Sequence, residues 1–555
     1  MKKNISILIF TILINSSSAQ TSNWGWLKNI QGLGSETFYD IETDIYGNVY
    51  ATGIFAGTSI TIGSTVLTNS AGTSSSRAFY IIKFDMSGNV LWAKSSKSTE
   101  LDNIRCLDTD ASGNLLIAGS FSSDSLIFDS DTLYAGTNTD ALIMKYDTFG
   151  NNIWTKEIDG AGGLSVSSDR IGNVFVLIGT ASPYIIIGPD IYYNDYALSV
   201  NIKYDSSGNL LWSRAATSTC SFGMERNAVD SVGNNYVVGS GYLAPVIFDT
   251  ISTFNPSSID GFLAKYDSAG NILWLRQFSA NSFDYAVDVV VDAIGDVYVA
   301  GYYNSSALAF MGGTPYFGTN IYNAGSYDNY IVKYNSLGNF QWSKSIGGSG
   351  SDFPMGIATD GVNIFVCGTN GSSSTVYGPF TLTGTGNDKV FVAKMNAIGS
   401  YLWVQQAVSS INGMSGGPIC SDNFGNQYIG GSYTYNAIFG ATTLVAGTPV
   451  ENYIAQIPVP IPTQTDQRPL LNKNFNLFPN PSNSSSAIFY ELTDEEEVTI
   501  EIYNELGEVV KIIAKNEIQS VGEHSYSFTP NKLGIYLVNV KIGGNSSIGK
   551  LVFVE

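Results

Sequence analysis

A single histidine, His524, occurs in 555 residues, and it lies near the C-terminus. The rest of the chain therefore lacks a His-based triad, a His-ligated zinc and an imidazole general base. Cysteine is nearly as scarce: Cys106, Cys220, Cys367 and Cys420 are far apart and show no metal-site spacing. We expect buried thiols in strands of different repeats, with a Cys367–Cys420 bridge as the alternative. Charged residues make up only 13% of the chain, against roughly 25% in an average soluble protein. The net charge is 27 − 47 = −20, which disfavours nucleic acid as a partner. No apolar run approaches the roughly 20 residues that span a bilayer, so no transmembrane segment is expected. Long amphipathic helical patterns are also missing.

The longest apolar run, Ile5 to Ile14, follows Lys2 and Lys3 and precedes a stretch of small residues ending at Ala19. Residues 1–19 read as a secretory signal peptide cleaved between Ala19 and Gln20. No Cys follows the run, which argues against lipoprotein anchoring.

What the chain does have is a repeat. The stretch Asp260 to Trp274, DGFLAKYDSAGNILW, is two period-two strands around an Asp/Gly/Asn turn. Its Trp recurs as Trp26, Trp92, Trp154, Trp212, Trp274, Trp342 and Trp403, at intervals of 66, 62, 58, 62, 68 and 61 residues. A second hairpin, beginning at Asp44, Asp110, Asp169, Asp230, Asp292, Asp360 and Asp422, lies between successive Trp residues. The chain opens with a Trp strand (Trp24 to Ile30) before any such turn, and its last repeat, at Tyr453, has no Trp strand after it. A ring repairs both ends at once. The expected fold is thus all-β: a seven-bladed β-propeller closed by the N-terminal strand. In the fifth repeat we expect strands over residues 286–292, 297–303, 330–335 and 340–346. Between the strand pairs lies an excursion of about 25 residues, either a small hairpin or a true strand. Its signature is an aromatic or Ile, then Gly or Asp, as in Phe128-Asp129, Phe248-Asp249 and Phe439-Gly440.

Prolines concentrate in residues 458–474, which read as a stiff linker. Residues 475–555 have short strands and no helix signal, and fit a small Ig-like antiparallel β-sandwich. The expected organisation is signal peptide 1–19, propeller 20–457, linker 458–474 and C-terminal domain 475–555.

The Asp-x-x-Gly-Asn and Lys-Tyr-Asp-x-x-Gly-Asn-x-x-Trp motifs resemble the bacterial seven-bladed β-propeller repeat family. Residues 475–555 resemble the type A sorting domain of the type IX secretion system of Bacteroidetes. That resemblance rests on Phe478, Pro479, Asn480 and Pro481, on Ile502 to Gly507, and on Leu533 to Val538 with Gly534 and Tyr536. It implies passage through the periplasm and across the outer membrane, recognition by the type IX machinery, and release or attachment at the surface.

Candidate chemistry is sparse. The repeated Asp could ligate Ca²⁺, but Asp and Asn at such turns ordinarily bond to nearby backbone N–H groups, and the spacing of a calcium loop is absent. Asp124, Asp129 and Asp131 form the best local acidic cluster, so no cofactor is expected unless it is calcium. The Trp series is expected to fill the core between blades. Met414-Ser-Gly-Gly417 has the look of a nucleophile loop but no histidine to serve it, and Asp494 to Glu497 reads as an exposed turn. Carboxylate pairs, as in glycoside hydrolysis, are the remaining route to catalysis. The leading expectation is a secreted or surface-held, monomeric, non-catalytic scaffold for a glycan or protein; the alternative is a carboxylate-dependent polysaccharide hydrolase or lyase. The fifth excursion, with Phe310, Tyr316, Phe317, Tyr322 and Tyr327, is the candidate binding loop, against the reading that these residues pack the loop onto its own blade.

Overall fold

Strands of period two, joined by turns that reverse the chain within a few residues, pair with their sequence neighbours. The computed structural model of the chain is built that way. It describes residues 24–458 and 475–553, except 33, 35, 70–76, 98–101, 123–124, 130, 135–138, 254–257, 311–319, 385–388, 411–412, 448–449, 479–484, 493, 505–508, 533 and 544. The chain divides into two compact units, Met1–Val459 and Pro460–Glu555. Among the described residues there is no helix, and every strand–strand pairing is antiparallel.

The first unit contains seven sheets with a common four-strand core. Their first strands are Glu36–Thr43, Asn103–Thr109, Gly162–Ser168, Phe222–Val229, Asp284–Val291, Asp352–Thr359 and Met414–Ser421. The fifth sheet continues with Val297–Tyr303, Asp328–Tyr334 and Phe340–Ile346. The seventh takes its fourth strand from the other end of the chain: Leu27–Gly32 pairs with Glu451–Ile457, Leu27 opposite Ala455 and Ile30 opposite Asn452. First strands of consecutive sheets touch, and that of the seventh touches that of the first. Third strands such as Ile259–Tyr266 are buried along nearly their whole length, which explains the mixture of apolar and small residues on both of their faces.

The repeated turn residues join one sheet to the next. Asp44 Oδ1 accepts the backbone N–H groups of Tyr46 and Asn48, at 3.0 and 2.9 Å, while Oδ2 accepts the Asn48 amide at 2.8 Å. Gly47 has φ +78° there, a backbone that suits glycine. Six sheets place a lysine ammonium on a carboxylate of this turn: Lys83–Asp44 (3.1 Å), Lys145–Asp110 (2.9 Å), Lys203–Asp169 (3.6 Å), Lys265–Asp230 (4.0 Å), Lys333–Asp296 (2.7 Å) and Lys394–Asp360 (3.6 Å). In the first five of these sheets the same lysine reaches into the outer turn of the following sheet. Lys145 Nζ and Trp154 Nε1 both donate to the Ser206 carbonyl, each at 3.3 Å, and equivalent pairs meet at Thr148, Ser268, Ser336 and Ala397. Between the seventh and first sheets, Gln456 stands in the lysine position and donates to the Met86 carbonyl beside Trp26.

As expected, six of the repeat tryptophans pack on the cores shared by consecutive sheets: Trp26, Trp92, Trp154, Trp274, Trp342 and Trp403. Trp212 and Trp403 are buried, but the other five are half-exposed at the ends of their sheets. The indole N–H needs an acceptor, and the next sheet's turn supplies it while the ring lies against the core. A Cβ on Gly88 would come within 2.7 Å of the Trp26 ring, so the turn must be bare where the indole lies on it.

Each excursion contains a two-stranded hairpin. Four hairpins extend the outer edge of the preceding sheet, as Ser59–Ile62 does on Leu27–Gly32. The excursion signature has a conformational cause: Asp129, Asp249 and Gly440 take φ +56°, +50° and +58° at the hairpin turns, with Phe128, Phe248 and Phe439 buried just before them. All four cysteines are free, so Cys367 and Cys420 are not bridged. Cys220 is half-exposed in the connection after Leu210–Ser218, not in a strand. Met414 to Gly417 opens a strand and is no loop: a Cβ on Gly416 would meet the Gly368 carbonyl oxygen at 2.7 Å.

The second unit has a three-stranded and a four-stranded sheet sharing one core, with Ile488, Val498, Ile500, Val538, Leu551 and Phe553 in it. Only Asp494 and Glu495 of the acidic run precede its strand Glu496–Tyr503, which Glu496 and Glu497 begin.

Candidate functional site

Each of the seven first strands slips register once against its neighbour, at Phe38/Asp40, Ile104/Cys106, Gly163/Ser165, Met224/Arg226, Ala286/Asp288, Pro354/Gly356 and Gly416/Ile419. A bulge of this kind re-aims the next side chain. Here it helps wall a cavity of about 260 Å³ with residues from all seven first strands.

Aligning the sheets on that bulge shows which side chains differ. After the bulge, the first five sheets carry Asp40, Cys106, Ser165, Arg226 and Asp288, all on the cavity wall. Asp40 Oδ1 accepts its neighbour Ile41 N–H, and Oδ2 accepts Leu107 N–H of the second sheet at 2.9 Å. Asp288 repeats this with Val289 and, in the sixth sheet, Ile357 at 3.0 Å. Arg226 Nη1 lies 3.8 Å from Asp40 Oδ2 and donates to the Arg105 carbonyl at 3.2 Å. Burial pushes Asp108 up to about 7 and Asp288 to about 6. It also raises Glu42 well above its ordinary value, with the Asp108 charge adding to the effect. Burial thus favours the protonated form of each of these three carboxyls. Burial pushes the Cys106 thiol up to about 12, and Ser165 donates to the Asn227 amide oxygen at 2.6 Å. Among the described residues, no group of three or more His, Cys, Asp or Glu side chains is placed to hold a metal.

One residue before the bulge, the cross-strand pairs are Thr37/Ile54, Asn103/Ser120, Gly162/Gly179, Gly223/Ser240, Tyr285/Tyr302, Phe353/Thr369 and Ser415/Ser432. Only the fifth and sixth sheets put aromatics there. Tyr285 stacks on Tyr302 at 4.8 Å between ring centroids, Phe353 meets Tyr302 edge-on at 5.1 Å, and Tyr327 lies 5.8 Å from Tyr302 and 5.5 Å from Phe353. All four rings are half-exposed. Met355, two residues along the strand from Phe353, is a wall of the cavity.

The candidate binding residues fare differently from one another. Phe310 is buried between Phe278, Tyr330 and Phe340, a packing role. Tyr322 is exposed on the fifth hairpin, away from the patch in the pairing pattern. Tyr327 is the one that joins the patch, and Tyr316 and Phe317 lie outside the described residues. Tyr285, Tyr302 and Phe353 escaped the sequence reading because aromatics are common in strands; the register bulge is what makes the repeats comparable position by position. Of the acidic cluster, Asp129 is ion-paired to Lys94 at 2.6 Å, Asp124 lies outside the described residues, and Asp131 opens the strand Asp131–Leu133, its side chain being undescribed. Of the sorting residues, Phe478 ends the strand Phe475–Phe478 and Gly534 opens the strand Gly534–Ile542. Tyr536 is buried against Phe528 and Phe553, with its hydroxyl on the Lys532 carbonyl. Pro479, Asn480, Pro481, Gly507, Ala19 and Gln20 lie outside the described residues.

Residues 476–555 match the secretion system C-terminal sorting domain. The C-terminal unit is thus a type IX sorting domain, recognised by that machinery, and it directs export to the cell surface or the extracellular space. Among the described residues no helix is long and apolar enough to cross a membrane. The chain is 23% identical, over 468 residues, to an uncharacterized WD repeat-containing protein of Acanthamoeba polyphaga mimivirus, covering 68% of this chain and 34% of that protein. It is 26% identical over 269 residues to the regulatory protein FlaEY of Caulobacter vibrioides, covering 44% of this chain and 27% of that protein. The chain spans about a third or less of these relatives' lengths. A crystal structure of an ACO/RPE65 chimera covers 78% of this chain and 95% of its own at 9% identity, with a TM-score of 0.37.

Proposed function

We propose that residues 20–457 form a seven-bladed β-propeller, exported from a bacterium of the Bacteroidetes by way of a cleaved signal peptide and an Ig-like sorting domain. In its exported form it acts as a non-catalytic scaffold that binds a glycan chain on Tyr285, Tyr302, Tyr327 and Phe353. Pairing of Leu27–Gly32 with Glu451–Ile457 supports the closed propeller, as does a cavity walled by all seven first strands. The observation that carries the binding role is the cross-strand position just described, small, polar or a single aliphatic in five sheets and aromatic in two adjacent ones. Half-exposed rings on a rigid sheet offer flat apolar faces that a sugar ring can cover.

A glycan array probed with the full chain and with Tyr302→Ala tests this. Loss of at least about tenfold in affinity at unchanged melting temperature supports the site. An array without binders removes the glycan reading.

The carboxylates of the cavity support one other reading, a polysaccharide hydrolase or lyase, because Asp108 and Asp288 change charge near neutrality. Release of reducing ends that Asp108→Asn abolishes would favour it over the scaffold.

A further inference from the structure

The third excursion differs from the other six in the face it turns outward. Its strands Tyr184–Ile187 and Asp190–Tyr193 pair with Tyr184 opposite Tyr193 and Ile186 opposite Ile191. These four side chains are 54%, 71%, 55% and 52% exposed. At the equivalent outward pairs the other hairpins carry Thr61/Val66, Ile127/Thr132, Ile247/Ser252, Ala307/Tyr322, Val376/Thr381 and Ile438/Thr443. Each of those pairs includes a Thr, Ser or Ala, so the fold does not require a large apolar residue there. Four large apolar side chains in one exposed block mark an interaction surface.

A cleft of about 320 Å³ adjoins this face. It is lined by Gly160, Ala161, Gly162, Thr180, Ser182 and Pro183 among others, and Pro183 leads directly into Tyr184. The small residues have a visible consequence: two residues before the bulge, where the first, second, fifth and sixth sheets carry Glu36, Asp102, Asp284 and Asp352, this sheet has Ala161. The hairpin segment itself is acidic. Residues 181–195 contain Asp190 and Asp195 and no lysine or arginine. Asp195 follows Asn194, whose amide bonds to Ser182 and Thr180 at the cleft wall, and the exposed Asp159 precedes Gly160 on its other side.

We propose that this hairpin face and its cleft dock a cationic polypeptide segment. A large apolar side chain fills the cleft, its neighbours lie on the Tyr/Ile ladder, and flanking lysines or arginines face Asp159 and Asp195. Charge selects this occupant. A second copy of a chain with net charge −20 would bring acid against acid. The central isoleucine pair offers no ring face or hydrogen-bonding group to a sugar.

The test uses the full chain and a fluorescent decapeptide with a central Trp-Leu pair flanked by lysines, together with its glutamate counterpart. The lysine peptide should bind, more weakly at high salt, and the glutamate peptide should not. Exchanging Ile191 and Tyr193 for threonine, the residue of the sister hairpins, should weaken binding at least about tenfold without moving the melting temperature. The double change Asp159→Lys, Asp195→Lys should transfer the preference to the glutamate peptide. Equal binding of both peptides, no binding, or binding unaffected by the threonine exchange overturns the proposal. So does a dimer, or glycan binding, that the threonine exchange abolishes, since the face would then belong to a second copy or to a sugar.

Discussion

Trp26 donates its indole N–H to the carbonyl of Met86 at 2.9 Å, and this one bond treats the two ends of the repeat array as neighbours. Five other tryptophans make the same bond to the next sheet's turn. The N-terminal strand is thus held at the seam by the same interaction that holds successive repeats together.

Removing residues 23–32 should cost on the order of 2–5 kcal/mol, the scale of losing a buried aliphatic such as Ile30, together with its strand pairing. Thermal melting of the shortened chain checks this. A melting temperature within a degree of the parent would show that the pairing with Glu451–Ile457 contributes nothing to stability.

Lys145 joins Asp110 to the Ser206 carbonyl, and both ionic side chains are about 95% buried. Lys145→Met leaves the Asp110 carboxylate buried without its cation and should cost roughly 3–5 kcal/mol. Lys145→Gln copies the arrangement of Gln456 at the seventh-to-first seam and should cost less than the methionine change. Denaturant titration of both variants decides the order, and equal costs would mean that the ion pair is idle.

Glu36 lies buried beside Glu451. Burial pushes its carboxyl up to about 8, with Glu451 adding repulsion against the help of the Gly34 N–H. A raised carboxyl is protonated in the folded chain and ionised in the unfolded one between pH about 4.5 and 8. Its contribution to stability therefore falls as pH rises through that window and is flat above it. Glu36→Gln should remove this slope and stabilise the protein at pH 9 by roughly 1–3 kcal/mol. An unchanged slope between pH 5 and 8 would place the titration elsewhere.

A chain ending at Val459 should fold and stay in the periplasm of its own host, because the sorting domain is a separate compact unit. Fractionation of cells expressing it gives the answer; normal amounts outside the cell would mean that the first unit carries its own export signal.

Much of this was legible in the sequence, because a repeat states each rule several times. The Asp and Gly of each turn, the Trp strand and the unmatched N-terminal strand all have fixed spacing, and spacing survives without coordinates. What was hidden depends on register. Nothing in the residues around Tyr285 reveals that it sits one step before a bulge and opposite Tyr302. For a related reason the indole bonds were not legible, since periodicity says which face a residue is on but not how near it lies to the next sheet's turn. Arg226 and Asp40 lie far apart in sequence and share no motif, so only the convergence of the first strands brings them together.

The pairing of the two chain ends also bears on how the protein is made. Asn29 bonds to Glu451, 422 residues away, so the last sheet cannot form until nearly the whole of the first unit has left the ribosome. Closing so long a loop carries an entropic cost that grows only with the logarithm of its length, but the search is slow for contacts this distant. Until it ends, the edges of Glu451–Ile457 and of the N-terminal strand are both open to foreign strands. The step that completes the molecule is thus also its period of greatest exposure to aggregation, and a periplasmic chaperone that shields the N-terminal strand would act there first.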